Sequence, residues 1–311
     1  MMSRSDIDVL CLWENTVDTI DDHYVLPIPF KEKPLCLPIN RAMAWQRLNH
    51  LKSRLVKNPE LHTRYTEGIA DLLRRGYAEE VIPSQLVRDN GKLWYLPHHP
   101  VLNVNKPDKL RIVFDCAAKF KGMSLNSAVM QGPDLTNKLL NVLIRYRQER
   151  IALNADIEQM FHQVRVKPDD CDVLRFLWWK EGDLDTTPIE LRMTVHLFGG
   201  VWSSSVANFA LRRCASDFAS DYASHVANIV HRNFYVDDLL KSVSTVEEAT
   251  STAIKLQEML LQGGFNLTKW ISNSREVLES IPQSQWNKNI KGMDLSKDPF
   301  PVERMLGVRW S

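Results

Sequence analysis

Cysteine is scarce and unpatterned in this 311-residue chain, with five residues (Cys11, Cys36, Cys116, Cys171, Cys214), an odd number and no C-x-x-C pair. A disulfide framework or a zinc site needs paired spacing, so neither is supported, and a reducing cytoplasmic setting fits best. No stretch approaches the ~18 consecutive apolar residues of a membrane span. The N-terminus also lacks the basic region and apolar run of a secretory signal. A charge excess is missing too, because 39 Lys and Arg stand against 38 Asp and Glu, for a net charge of +1. Binding of a polyanion would need a local basic groove. Arg74-Arg75, Lys106 to Arg111 and Lys119 to Lys121 are candidates, with solvated faces as the plain alternative. Internal repeats and low-complexity tracts are absent. What is present, 44% hydrophobic and 25% charged residues, is ordinary globular composition in a chain long enough for more than one subdomain.

The most informative stretch is Phe234-Tyr235-Val236-Asp237-Asp238-Leu239-Leu240, two adjacent acids between apolar runs. A strand-turn-strand reading sets both carboxylates where the hairpin reverses. Such a pair repels unless a cation neutralises it, and a hard divalent ion is the natural choice. A polar turn is the plain alternative.

Along the rest of the chain, Pro27, Pro29, Pro34 and Pro38 make residues 1 to 40 read as an extended lead-in. Asn40 then caps a helix with Ala44, Leu48, Leu51 and Leu55 on one face, stopped at Asn58-Pro59. A second helix carries Tyr65, Ile69, Leu72 and Leu73 and exits at Gly76. Strands are predicted at Leu93 to Leu96, Pro100 to Val104 and Leu110 to Cys116, the last presenting Arg111 after a basic turn with Lys109. Residues 137–148 read as a helix with Leu139, Leu140 and Leu143 inward. The run Ile151 to Asp156 reads as a strand ending on an acid and feeding a helix; an acid there suits a metal, while a helix N-cap is the alternative. Strands at Val173 to Trp179 and Ile189 to Leu197 precede Phe198-Gly199-Gly200 and a helix from Ser203 to about Tyr222. Thr245-Val246-Glu247-Glu248 opens a helix ending at Gly263-Gly264, and the strand Phe265 to Ile271 carries Lys269.

In this order the motifs resemble the reverse transcriptase of a Pao/BEL-type retrotransposon with long terminal repeats, from about residue 20 to the end. Leu110 to Asp115 resembles the fingers hairpin, and Ala155-Asp156-Ile157-Glu158-Gln159-Met160-Phe161-His162-Gln163-Val164 the first catalytic motif. Phe198-Gly199 through Asn208-Phe209 resembles the template-primer helix, Tyr235-Val236-Asp237-Asp238 the catalytic hairpin, Gly264-Phe265 to Lys269 the next motif, and Leu306-Gly307 the primer grip.

The resemblance implies an α+β fold of interleaved fingers and palm, with an antiparallel palm sheet backed by helices and the thumb largely absent. It divides the chain into the lead-in 1–40, helices and fingers 41–150, the first palm segment 151–166, an insertion 167–195, and palm through primer grip 196–311. It implies an RNA-directed DNA polymerase that uses two Mg²⁺ ions, replaceable by Mn²⁺, on template-primer and deoxynucleoside triphosphates. Asp156 and Asp237 would be metal ligands supported by Asp238. Lys269 would be a general acid, Phe161 a steric gate, Arg111 and Lys109 triphosphate contacts, and Gly199 a nucleotide-facing residue. The chain would be a polyprotein fragment found in the cytoplasm, virus-like particles included. Two departures stand out, Ser204 where related elements carry Pro and bulky Trp202 in the same loop; altered loop stiffness and reduced activity are the expectation. A silent remnant that only binds nucleic acid, or a metal-dependent nuclease, are the alternatives.

Overall fold

The computed structural model describes residues 2–32, 34–86, 91–103 and 106–290, with short strands at Arg304–Met305 and Val308–Arg309. The Leu306-Gly307 pair and the side chain of Lys109 lie outside the described residues. The architecture is α+β, with small, mainly antiparallel sheets among helices. Two compact units share the chain, one built from 1–20, 24–134 and 161–206, the other from 21–23, 135–160 and 207–311.

The first unit opens on a helix, Arg4–Thr16, where the prolines downstream suggested extended chain. Ser3 and Asp6 cap it reciprocally, and Val9 and Trp13 supply its buried face. The prolines act later, keeping the described residues of 27–40 free of helix. Helices Arg41–Lys57 and Pro59–Arg74 follow, the first burying Ala44, Leu48, Leu51 and Leu55 as the spacing predicts and the second burying Leu61, Tyr65 and Ile69, while Leu73, expected on that face, is exposed. Asn40 precedes the first of these but does not cap it with its side chain. Its buried amide instead clamps Tyr95, donating to the Tyr95 carbonyl at 2.8 Å and accepting from its N–H at 2.7 Å. That clamp explains why Leu93 to Leu96 is not a strand: a side chain satisfies the Tyr95 backbone, leaving only an isolated bridge to Arg175. A hairpin of His98–Asn103 and Lys106–Phe114 forms, its strands starting and ending earlier than predicted, so that 106–109, read as a basic turn, belong to the second strand. A 3₁₀ run at Pro168–Leu174 shortens the next predicted strand to Arg175–Trp178, which pairs with Ile189–Met193.

The second unit is organised by a four-stranded antiparallel sheet in the order Phe234–Tyr235, Asp238–Val243, Ile151–Ile157, Leu267–Ser272. Helices Leu139–Tyr146, Ser224–Asn233 and Val246–Leu261 pack on it. The last is capped by Thr245 as predicted, its hydroxyl accepting from Glu248 N–H. The first presents a different face from the one expected, since Val142 and Tyr146 are buried with Ala152 and Leu240 while Leu140 is 68% exposed. Leu139, Val142, Leu143 and Tyr146 recur at i, i+3, i+4 and i+7, away from the polar Asn141, so the spacing carries the inward face and Leu140 does not belong to it. The helix expected from Ser203 to Tyr222 ends at Asp217, and a separate helix begins at Ser224.

Candidate active site

The hairpin is made by apolar residues on both sides of the acids. Phe234, Leu239, Leu240 and Val243 are all buried, so they pin the strands to the core and leave the turn at the sheet's end. Two amides brace it: Asn137 donates to the Phe234 carbonyl at 2.9 Å and Asn233 to the Leu240 carbonyl at 3.1 Å. Tyr235 pairs with Asp238, which leaves a two-residue turn of Val236 and Asp237. Val236 has φ 56° whereas Asp237 does not have positive φ, the φ pattern of a type II′ turn, which favours glycine at its first position. A β-branched residue there costs on the order of 1–3 kcal/mol.

Register brings the acids together. Asp238 lies directly opposite Asp156 on the neighbouring strand, and partners so placed share a face of the sheet. The Asp237 carbonyl accepts from Ile157 N–H at 2.9 Å, holding the turn against the same strand end. On the other side of that strand Thr268 pairs with Asp156, and the ladder then slips between Thr268 and Ile271. Lys269 sits in this bulge at φ 56° and places Nζ 2.5 Å from Asp156 Oδ1. Asp156 is thus inside a strand; the segment after it turns through Gln159 at φ 49° into a 3₁₀ turn at Met160–Gln163. Neither the predicted helix nor the N-cap reading of Asp156 survives.

Burial, then the negative charge of Asp237 and Asp156, pushes the Asp238 carboxyl up to about 7, against the opposing effect of Lys269. Two acids face each other with a third beside them, so part of their repulsion is relieved by a proton. Among the described residues no three acidic, imidazole or thiol groups enclose a metal as they stand. The donor set is nonetheless oxygen only, two facing strand positions and the adjoining turn with excess negative charge, and in kind it fits a hard ion such as Mg²⁺ or Mn²⁺.

The remaining candidates belong to the first unit. Arg111 is exposed on its strand, opposite Val101. Phe161 meets Phe198 edge to face, ring centres 5.6 Å apart, and Phe198 is 63% exposed. Gly199 has φ 112°, and a Cβ there would lie 2.9 Å from the Phe114 carbonyl oxygen, so glycine is required by backbone conformation and close approach together. Asn126 brackets this loop, donating to the Gly199 carbonyl at 3.2 Å and accepting from Val201 N–H at 3.0 Å. Trp202 is fully buried and its indole N–H donates to His196 Nδ1 at 2.9 Å, so the bulk that looks misplaced in the sequence fills a built position.

Sequence reasoning missed Val236 as a strained turn residue, Thr268, Asn126 and Phe198. The two-residue spacing of the hairpin could have exposed the first; the others depend on tertiary contacts and carry no local signal.

No family model and no curated protein matches this chain. Among solved structures it is similar to a foamy viral protease–reverse transcriptase in complex with double-stranded DNA, at 20% identity and a TM-score of 0.49 over 85% of this chain. The chain spans 38% of the length of that protein.

Proposed function

We propose that this chain is an RNA-directed DNA polymerase module of the Pao/BEL retrotransposon kind, extending a primer 3′-hydroxyl with deoxynucleoside triphosphates. The observation that carries this reading is the convergence of Asp156, Asp237 and Asp238 at one end of an antiparallel sheet. They come from segments far apart in the sequence, and their motifs stand in the order of that family.

Two Mg²⁺ ions, or Mn²⁺, bound by Asp156 and Asp237 would supply the charge stabilisation that attacking and leaving oxygens need in phosphoryl transfer. Asp238 supports the pair by holding part of its proton near neutral pH, which limits repulsion among the three. Lys269, beside Asp156, is a cation able to donate a proton toward a departing pyrophosphate. The roles of Arg111 and Lys109 as triphosphate contacts, Phe161 as a steric gate and Gly199 at the nucleotide side rest on the motif resemblance.

The test is primer extension on an RNA template with Mg²⁺ and deoxynucleotides, comparing wild type with Asp237→Asn. Extension by the wild type and none by the variant, with unchanged circular dichroism, is the expected outcome. Equal extension by both would sink the assignment. Template-primer binding that persists in EDTA, with no extension in Mg²⁺ or Mn²⁺, would mark a binding remnant instead.

A further inference from the structure

The contact between Lys269 and Asp156 does more than bring a cation close to the acids. Lys269 leaves the regular ladder to make it: the strand slips out of register between Thr268 and Ile271, and Lys269 occupies the left-handed region at φ 56°. A lysine has no intrinsic reason to adopt that conformation. The bulge re-aims its side chain, as bulges beside functional sites do, and Nζ reaches Asp156 Oδ1 at 2.5 Å. Thr268, still in register, donates its hydroxyl to the Asp156 carbonyl oxygen at 3.4 Å and holds the adjoining backbone. The Lys269 side chain is half exposed at 50%, while that of Asp156 is 20% exposed. The cation can therefore move into solvent without unfolding anything, whereas the carboxylate stays where the strand puts it.

We propose that Lys269 is a displaceable counter-ion for Asp156, which a divalent cation must release before it can use that carboxylate. The inference rests on the metal-binding reading of the site and adds a residue that competes with the metal. Lys269 acts here as a positioning residue: it holds Asp156 oriented, and its release frees an ammonium on the sheet edge next to the acids. Affinity for the metal is thereby lowered by the strength of one ion pair.

The experiment is calorimetric titration of Mn²⁺ into the full chain without nucleotide or template, for wild type, Lys269→Met, Lys269→Arg and Asp237→Asn. Met keeps the unbranched stem of the side chain, one atom shorter, and removes the charge. Lys269→Met is expected to bind Mn²⁺ more tightly by about two- to fivefold, the scale of one partly exposed ion pair. Lys269→Arg, which keeps a cation, is expected to stay near wild type. Circular dichroism checks that each variant folds. Unchanged or weaker affinity in Lys269→Met, alongside saturable wild-type binding that Asp237→Asn weakens, would overturn the counter-ion role and leave the metal site standing. Absence of binding in every form would overturn both. Binding by Lys269→Met alone would support the competition in its strongest form.

Discussion

Asp238 is the residue on which charge, burial and backbone meet. Its carboxyl is pushed from an ordinary 3.8 up to about 7, so between those values the folded chain holds a proton that the unfolded chain has lost. The stability this contributes is fully present below about 3.8 and is lost as pH rises through about 7. Asp238→Asn removes the ionising group while keeping its shape. The variant's melting temperature is expected to exceed wild type at pH 8 and to converge on it toward pH 5; a constant offset would contradict the shift. Val236 gives a second test, of strain rather than charge. Val236→Gly suits φ 56° and is expected to melt at or above the wild-type temperature. Loosened carboxylates would at the same time slow primer extension, by up to about a hundredfold. The Asp-Asp pair was legible from its apolar frame, but the valine's φ was not, because propensity gives no reason to put a β-branched residue there.

Among the elements of the first unit, the segment from Val195 to the start of the helix Ser203–Asp217 is fixed by a buried imidazole. His196 Nε2 faces the Leu26 carbonyl at 3.2 Å and its Nδ1 faces the Trp202 indole at 2.9 Å. A carbonyl only accepts and an indole only donates, so Nε2 carries the proton and Nδ1 must stay bare. Burial lowers this imidazole to about 4. Its stabilising effect is therefore present above 6.5 and lost as pH falls through about 4. Trp202→Phe leaves Nδ1 without its donor and is expected to cost about 1–3 kcal/mol at pH 7.5. The gap from wild type should narrow as pH falls, because the variant's imidazole can accept a proton; scanning calorimetry from pH 8 to 5 reads this directly. Elements with one clean apolar face, such as Arg41–Lys57, were legible in the sequence. The inward face of Leu139–Tyr146 was legible as well, in the spacing of Leu139, Val142, Leu143 and Tyr146, but the bulge at Lys269, set by strand register, was not.

At the scale of the whole molecule, composition announces a globular protein of more than one part, but not that both parts are stitched from separate stretches. The chain passes from one unit to the other after 20, 23, 134, 160 and 206, the last within the helix Ser203–Asp217. Of those points only the one at 134 is marked in the sequence, by Gly132-Pro133 just before it, since each unit's core is assembled from distant segments whose pairing is tertiary. Each unit has its own core, so a cation held by the second unit's acids should stabilise that unit first. At a hundred times its dissociation constant, a ligand specific to the folded state adds about 2.7 kcal/mol. Hydrogen exchange with and without Mg²⁺ is therefore expected to slow in Ile151–Ile157, Asp238–Val243 and Leu267–Ser272, with no change in His98–Asn103. Asp237→Asn should abolish the difference. Equal slowing in both units would mean that they open as one, and no slowing anywhere would leave the acids without the ion that their charge and oxygen donors call for.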